Sequence, residues 1–311
     1  MQKRLLDLLV CPEDRNPLQL MNPEYVSEEI KTGTLVCASC GNSFPVVHFI
    51  PRFVEKDNYA EIFGFQWKTF RKVQIDSVKS HGSKETFIKK TAFSEDFLRG
   101  KLVLDVGVGA GRYADIASRW GAEVVGIDLS TAVEAARLNL QNRPNVHLVQ
   151  ADLFGLPFRE ESFDVLYSIG VLHHTPITET AFRAIIPYLK KGGTIAIWLY
   201  ERWTHSRRTS LSALAAVRKV TTRLPPTMLY CLSSLAIVLY YVYKIPFLRS
   251  FQRYLPISRN RNWKWRWLDT FDLYHPKYQW FHTYPEVHRW FRGDFADIQL
   301  LDEPLSMRAT K

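Results

Sequence analysis

Strand and helix patterns alternate between residues 101 and 200, and this alternation restricts the fold of the chain. Five short apolar runs occur there, each separated from the next by a segment of helix or loop length. Parallel strands need such crossover segments, whereas antiparallel strands can be joined by tight turns. The pattern therefore predicts an α/β fold with a doubly wound, mostly parallel sheet. The runs are residues 102–105, 124–128, 146–149, 163–167 and 194–198.

A glycine-rich loop, with glycines at 107, 109 and 111, follows the first run and opens a helix pattern at Arg112. Glycine lets the backbone approach a ligand closely, and a helix N-terminus offers free N–H groups. Asp128 ends the second strand, where a carboxylate can accept hydrogen bonds from both hydroxyls of a ribose. Asp152 follows the third strand, and Ser168 follows the fourth. The carboxyl ends of these strands are thus predicted to form a ligand site.

Together, the segments 104–112, 126–130, 151–153, 163–164, 170–175 and 189–193 resemble class I methyltransferases of the type 11 group, which use S-adenosylmethionine. The resemblance covers roughly residues 95–200 and 284–311, and it implies a seven-stranded Rossmann-like sheet. A dinucleotide site fits less well, because its third glycine would fall at Arg112. The resemblance implies these cofactor-binding residues: Asp105, Gly107, Gly109, Gly111, Asp128, Leu129, Asp152, Leu153 and Ser168.

Two adjacent histidines follow the fourth strand and are the candidate catalytic residues. S-adenosylmethionine carries an activated methyl group, so the protein chiefly has to place a nucleophile in line with it. A base is useful if the acceptor is a hydroxyl, and His173 and His174 lie at the predicted sheet edge. A purely structural role for the pair is the alternative.

The first 56 residues predict a small module of short strands with a candidate zinc site. Cys37 and Cys40 have the spacing with which two thiolates hold one tetrahedral ion. Cys11 and Asp14 would complete the shell, with His48 as a substitute ligand. The segment resembles zinc-ribbon-like modules fused to or partnered with methyltransferases. A metal-free miniature sheet is the alternative.

The remaining sequence divides into three parts. Residues 57–100 predict a helical segment that caps the cofactor pocket, although its aromatic residues could simply pack on the sheet. Residues 101–200 and 281–311 predict the methyltransferase core, and residues 201–280 a largely helical insertion. Asp7 interrupts the first apolar patch, which is therefore too short for an export signal. Together with the four cysteines, this predicts a cytoplasmic protein.

The positive charge is concentrated around the insertion. The chain has a net charge of +10, yet residues 201–292 contain 16 Lys and Arg against four acidic residues, and 19 of the 42 aromatic residues. Residues 224–243 carry no charge. A membrane crossing is not expected, for two reasons. Pro225 and Pro226 shorten the helical part, and a crossing would place the last helix and strand of the sheet on the opposite side of the membrane from the other strands. The run either forms a core helix or lies on an anionic membrane surface, peripheral at its inner face.

Several acceptors remain open at this stage. The segments 267–269, 274–276, 282–283 and 286–291 resemble methyltransferases of uncertain substrate found in bacterial surface-polysaccharide and lipid pathways. This resemblance implies substrate contacts from Asp269, Tyr274 and His282. The favoured acceptor is therefore a hydroxyl of a small-molecule, lipid-linked or glycan substrate at a membrane surface. Ribosomal or transfer RNA is the alternative, because tryptophans and arginines also suit nucleic acid. A non-catalytic S-adenosylmethionine-binding protein is a third possibility. The sequence leaves the oligomeric state open.

Overall fold

The computed structural model describes residues 1–54, 58–76, 82–202 and 208–311, with the backbone alone at 208–211. Its centre is a seven-stranded sheet in the order β10-β11-β9-β8-β5-β6-β7. Only β11 runs against its neighbours. The predicted fold class, a doubly wound Rossmann-like sheet, is thus confirmed. These strands are β5 (Leu102–Val106), β6 (Glu123–Asp128), β7 (Val146–Gln150), β8 (Phe163–Ile169), β9 (Leu189–Trp198), β10 (Ala296–Leu300) and β11 (Ser306–Thr310).

Crossover helices cover both faces of this sheet and explain why its parallel strands β5 to β9 are mostly apolar. Every residue of β7 is buried, as are all but one in β8. Strands buried on both faces read as continuous apolar runs, which is why the sequence revealed them. The helices of the core are α5 (Arg112–Arg119), α6 (Ala132–Leu140), α7 (Thr178–Ile185) and α12 (Tyr284–Phe291).

The N-terminal module is a four-stranded antiparallel sheet that packs against the core. Leu9 forms a bridge with Phe158, and both side chains belong to one apolar cluster with the core strands. Arg52 donates hydrogen bonds to Gln150 and Glu134, which ties the end of the module to β7 and α6. The predicted boundary at residues 56–57 lies outside the described residues. The module contains α1 (Lys3–Leu6), β1 (Leu18–Val26), β2 (Glu29–Cys37), β3 (Ser43–Val47) and β4 (Ile50–Pro51).

Between the module and the glycine loop, the described residues form the helices α2 (Glu61–Thr69), α3 (Gly82–Thr91) and α4 (Glu95–Leu98). Helix α2 contacts α6, and its Trp67 lies against the glycine loop at Gly109. Helix α3 packs on β9, β11 and α5, with Phe87 fully buried. These helices therefore both pack on the core and cover the carboxyl edge of the sheet.

The insertion is helical and packs on α2. Leu229, Leu268 and Phe271 form a cluster with Phe70 at the end of α2. The uncharged run is split between two short helices at Ser234, and no helix in the described ranges combines the length and apolarity needed to span a bilayer. The insertion contains α8 (Arg208–Thr221), α9 (Pro226–Ser233), α10 (Ala236–Val242), a 3-10 turn (Arg249–Arg253) and α11 (Trp263–Tyr274).

Candidate active site

A cavity of about 520 Å³ opens at the carboxyl ends of the five parallel strands β5 to β9. Its floor consists of the residues that end these strands, including Asp128 after β6 and Asp152 after β7. Helix α2 contributes Phe63 and Trp67 to one wall, and α11 of the insertion contributes Asp269. Parallel sheets bind ligands at this edge, and the volume suits a cofactor-sized molecule.

The glycine loop needs its glycines for backbone geometry. Gly107, Gly109 and Gly111 all have positive φ angles, of 83°, 53° and 85°. A Cβ atom at Gly107 would collide with the Val171 side chain, and one at Gly111 would lie 2.6 Å from Leu140. The loop is therefore held close to its neighbours, leaving its backbone open to the cavity at Gly107 and Gly109.

Asp128 connects the glycine loop to the end of β6. Its Oδ2 accepts a hydrogen bond from the Gly109 N–H at 3.0 Å, and its Oδ1 accepts bonds from the N–H and hydroxyl of Ser130 at 2.9 and 2.7 Å. The carboxylate is fixed by these donors and also lines the cavity. Carboxylate oxygens have several acceptor positions, so Asp128 can take further hydroxyl donors such as those of a ribose.

The nine predicted cofactor residues fall into two groups. Six line the cavity, and three pack behind it. Asp105 is 3% exposed and accepts a hydrogen bond from the Tyr167 hydroxyl at 2.9 Å. Ser168 donates to the Val106 carbonyl, and Gly111 packs on α6. The six that line the cavity are Gly107, Gly109, Asp128, Leu129, Asp152 and Leu153.

The two predicted catalytic histidines occupy different environments. His174 lines the cavity, and its Nδ1 lies 2.9 Å from the Tyr278 carbonyl oxygen. A carbonyl can only accept, so Nδ1 carries the proton and Nε2 is the basic nitrogen. Burial lowers the pKa of His174 to about 4, so the ring is neutral at pH 7. His173 is fully buried and stacks on Tyr200, with ring centroids 3.8 Å apart. A catalytic role for either histidine stays a prediction.

The three predicted substrate residues do not share one site. Asp269 lines the cavity, where its Oδ2 accepts a hydrogen bond from Ser258 at 3.0 Å. Burial raises the pKa of Asp269 to about 7, which suits a group that exchanges a proton near neutral pH. Tyr274 instead donates to the Pro256 carbonyl, and His282 lies between Glu286 and Thr178. Tyr274 thus connects α11 to the loop that precedes it, and His282 connects the start of α12 to α7.

The cavity also contains polar residues that the sequence did not single out. Asp272 lies one turn beyond Asp269 on α11 and accepts a hydrogen bond from the Tyr200 hydroxyl at 3.0 Å. Burial alone would raise the pKa of Asp272, but His275, His174 and Tyr200 hold it well below its usual range. Lys90 on α3 and Arg112 at the start of α5 also line the cavity. Tyr200 could have been found, because it follows a predicted strand, whereas Lys90 resembles an ordinary surface lysine.

The N-terminal module contains two backbone knuckles of equal geometry. The N–H of Arg15 donates to the Cys11 carbonyl at 3.0 Å, and that of Gly41 donates to the Cys37 carbonyl at 3.0 Å. Arg15 and Gly41 both have left-handed φ angles, of 62° and 76°. Asp14 therefore occupies in the first knuckle the position that Cys40 occupies in the second.

The side chains of these knuckles have the spacing of a metal site. One ligand atom from each of Cys11, Asp14, Cys37 and Cys40 lies within 4.8 Å of the others. The Cys11 and Cys40 sulfurs are 3.6 Å apart, and the Cys37 sulfur is 3.3 Å from each Asp14 oxygen. Ligand bonds of about 2.0–2.3 Å in a tetrahedral zinc shell separate the ligand atoms by roughly 3.3–3.8 Å, so the four residues fit zinc. His48 lies in the turn between β3 and β4, outside this group.

Comparison with known families agrees with both parts of the structure. Residues 104–197 match the family described as methyltransferase domain. Residues 2–47 match the family described as Trm112p-like protein. The chain thus carries a methyltransferase domain of the S-adenosylmethionine-dependent class, joined to a Trm112p-like module. The predicted resemblance and its cofactor are confirmed at this level.

The relatives share the core but not the whole chain. Phosphoethanolamine N-methyltransferase 2 of Caenorhabditis elegans is 37% identical over 109 residues, which cover 34% of this chain and 25% of the relative. Probable tRNA methyltransferase 9B of Mus musculus is 35% identical over 120 residues, covering 37% and 25%. Ubiquinone biosynthesis O-methyltransferase of Albidiferax ferrireducens is 32% identical over 130 residues, covering 40% and 50%. The chain thus spans a quarter to half of the length of these relatives.

Proposed function

We propose that the protein transfers the methyl group of S-adenosylmethionine to an acceptor bound in the same cavity. The observation that carries this proposal is the composition of the cavity, in which the glycine loop and Asp128 share one space with acidic and aromatic residues of α11. The loop and Asp128 would hold the cofactor, and the part lined by α11 would hold the acceptor. The cofactor supplies the activated methyl group, so the chain has to orient the acceptor and exclude water.

The proposed acceptor is RNA. Matches to several tRNA methyltransferases and to the Trm112p-like family support it, and they favour it over a lipid-linked or glycan acceptor. The positive charge of the insertion agrees with this choice, because basic residues neutralise backbone phosphates. Asp269 at the cavity wall would receive the acceptor's proton or orient its nucleophile.

Incubation with radiolabelled S-adenosylmethionine and fractionated cell extract tests this proposal. We expect label in material that ribonuclease makes acid-soluble. Label that instead partitions into organic solvent would contradict the RNA acceptor. Cofactor binding without label in any fraction would favour a non-catalytic binding protein.

A membrane surface is a second candidate site of action, because the insertion exposes a patch of apolar side chains. Leu235, Val238 and Tyr241 on and beside α10 are each more than half exposed. Large exposed apolar patches mark interaction surfaces, and rings and basic residues together suit headgroup depth. This surface also includes Met228, Leu232, Ile245, Phe247, Phe251, Tyr254 and Leu255.

Flotation with vesicles tests the membrane candidate. If the patch inserts into bilayers, the protein floats with phosphatidylglycerol vesicles, and Leu235→Asp with Val238→Asp reduces recovery at least fivefold. The matched control is Leu138→Asp with Ile177→Asp, which changes two exposed apolar residues outside the insertion. Recovery that is equal for wild type and the α10 variant would contradict insertion of this patch.

A further inference from the structure

Lys90 places a buried ammonium group in the cavity wall. The residue is 5% exposed, and its Nζ lies 3.1 Å from the centroid of the Trp198 ring. In the described part of the chain, this nitrogen has no hydrogen-bond acceptor and no carboxylate oxygen within 4.0 Å. Burial lowers the pKa of the Lys90 ammonium to about 7, with the charge of Arg112 adding to the effect. A buried cation in contact with only a ring lacks the anionic partner that such groups normally have.

Lys90 lies at a different part of the sheet edge from Asp128. Trp198 ends β9, whereas Asp128 ends β6, and β8 and β5 lie between these strands. At about 4.8 Å per strand, the two strand ends are roughly 14 Å apart. The Trp198 ring reaches across the end of β8, because a Cβ atom at Gly170 would lie 3.3 Å from it. Lys90 therefore lies beside the ends of β8 and β9, on the side of the glycine loop away from Asp128.

Two tryptophans line the cavity beside α3. The Trp198 ring lies against the Lys90 ammonium, and Trp265 on α11 lines the same cavity. Trp265 also lies beside Gly82 at the start of α3, so the helix that carries Lys90 and the insertion meet at this point. An aromatic ring against a buried cation excludes water and strengthens the attraction of the cation to an anion.

Six other charged side chains line the same cavity. Arg112 adds a second positive charge, and the acidic residues are Asp128, Asp152, Asp269, Asp272 and Glu303. Of these, Arg112, Asp269 and Glu303 act electrostatically on Lys90. Burial raises the pKa of Asp269 to about 7, so near and below neutral pH its carboxyl repels an anion less than an ordinary aspartate would. Asp269 is also engaged by Ser258, whereas the residues that the structure describes offer the Lys90 ammonium no hydrogen-bond acceptor.

We propose that Lys90 binds an anionic group, a phosphate or a carboxylate, on the methyl acceptor. This inference rests on the proposed function, because it assigns the cofactor to the other half of the cavity. It also restricts the acceptor to molecules that carry such a group near the methylated atom. Nucleotides and phospholipid headgroups both carry phosphate, so the two sources share this chemistry.

Calorimetric titration of the full chain, saturated with S-adenosylhomocysteine, tests the inference. The probes are inorganic phosphate, uridine 5′-monophosphate and glycerol 3-phosphate. We expect saturable phosphate binding that weakens at least tenfold in Lys90→Gln. Lys89→Gln, which changes an exposed lysine on the same helix, is the matched control and should alter affinity less than twofold. Tighter binding of the nucleotide or of the glycerol ester would support the inference and identify the source of the phosphate.

Two results would overturn the inference while leaving the proposed function intact. One is phosphate affinity that is equal in wild type and Lys90→Gln, both saturated with S-adenosylhomocysteine. The other is a tenfold loss of S-adenosylhomocysteine affinity in Lys90→Gln, which would assign Lys90 to the cofactor. A wild-type chain that binds no S-adenosylhomocysteine would overturn the proposed function itself, and this inference with it.

Discussion

At the scale of single residues, Asp105 is a buried carboxyl with a marked effect on stability. Burial raises its pKa to about 7 in the folded chain, although the Tyr167 hydroxyl and Arg112 partly offset the effect. The unfolded carboxyl titrates near 4. Between these values the folded state holds more protons, so the contribution of Asp105 to stability is lost as pH rises from about 4 through 7.

Asp105→Asn should remove this pH dependence. We expect the free energy of unfolding of the wild type, measured relative to the variant, to fall by on the order of 2 kcal/mol between pH 5 and pH 8. Denaturant titrations at a series of pH values measure the difference, and any constant cost of the amide cancels. The exposed Asp302→Asn is the control. A wild-type-to-variant difference that does not change with pH would contradict a raised pKa at this position.

At the scale of elements, the sequence predicts the buried strands and the glycine loop well, because packing and backbone angles restrict which residues can occupy them. Strand β5 is mostly apolar because both of its faces are covered, and the glycines of the loop mark backbone angles that other residues rarely adopt. The contents of the cavity wall were harder to predict. Lys90 and Asp272 reach the cavity only because α3 and α11, which are far apart in sequence, pack over the same sheet edge. No pattern within either segment of the sequence predicts that α3 and α11 contact the same cavity.

Local sequence patterns are equally insufficient to predict the helices of the insertion and the pairing of β11. Residues 224–243 permitted both a core helix and a surface helix, and the structure divides them, with Leu229 buried and Leu235 exposed. Strand β11 has mixed composition, and its pairing with β9 depends on the sheet being already present. Tyr274 and His282 resembled site residues by type, but hydrogen bonds within the scaffold engage them.

The two knuckles of the N-terminal module predict a structural metal. Purified protein should contain close to one zinc per chain, and Cys37→Ser should lose it and unfold at a lower temperature, because metal binding contributes directly to the stability of such modules. Elemental analysis and thermal unfolding measure both effects. Cys231→Ser, at an exposed cysteine on α9, should change neither. A fully folded wild type without zinc would instead support a metal-free module.

At the scale of the whole molecule, the module and the methyltransferase core share one apolar cluster. Leu9 is 1% exposed within it and pairs with Phe158 of the core. Leu9→Ala should therefore lower the stability of the entire chain by about 2–5 kcal/mol, in a single unfolding transition. Calorimetric unfolding tests this, with the exposed Leu138→Ala as the control. Two transitions, of which only one shifts, would contradict a shared core.

The proposed function requires that the cavity beside the glycine loop binds S-adenosylmethionine through Asp128. Isothermal titration of wild type and Asp128→Asn with S-adenosylhomocysteine measures this binding. We predict micromolar affinity for the wild type and a loss of roughly 10- to 100-fold in the variant, since hydrogen bonds to a charged group are worth about 1.5–3 kcal/mol. Asp302→Asn should bind like wild type. No binding by the wild type, or equal affinity in Asp128→Asn, would contradict cofactor binding through Asp128.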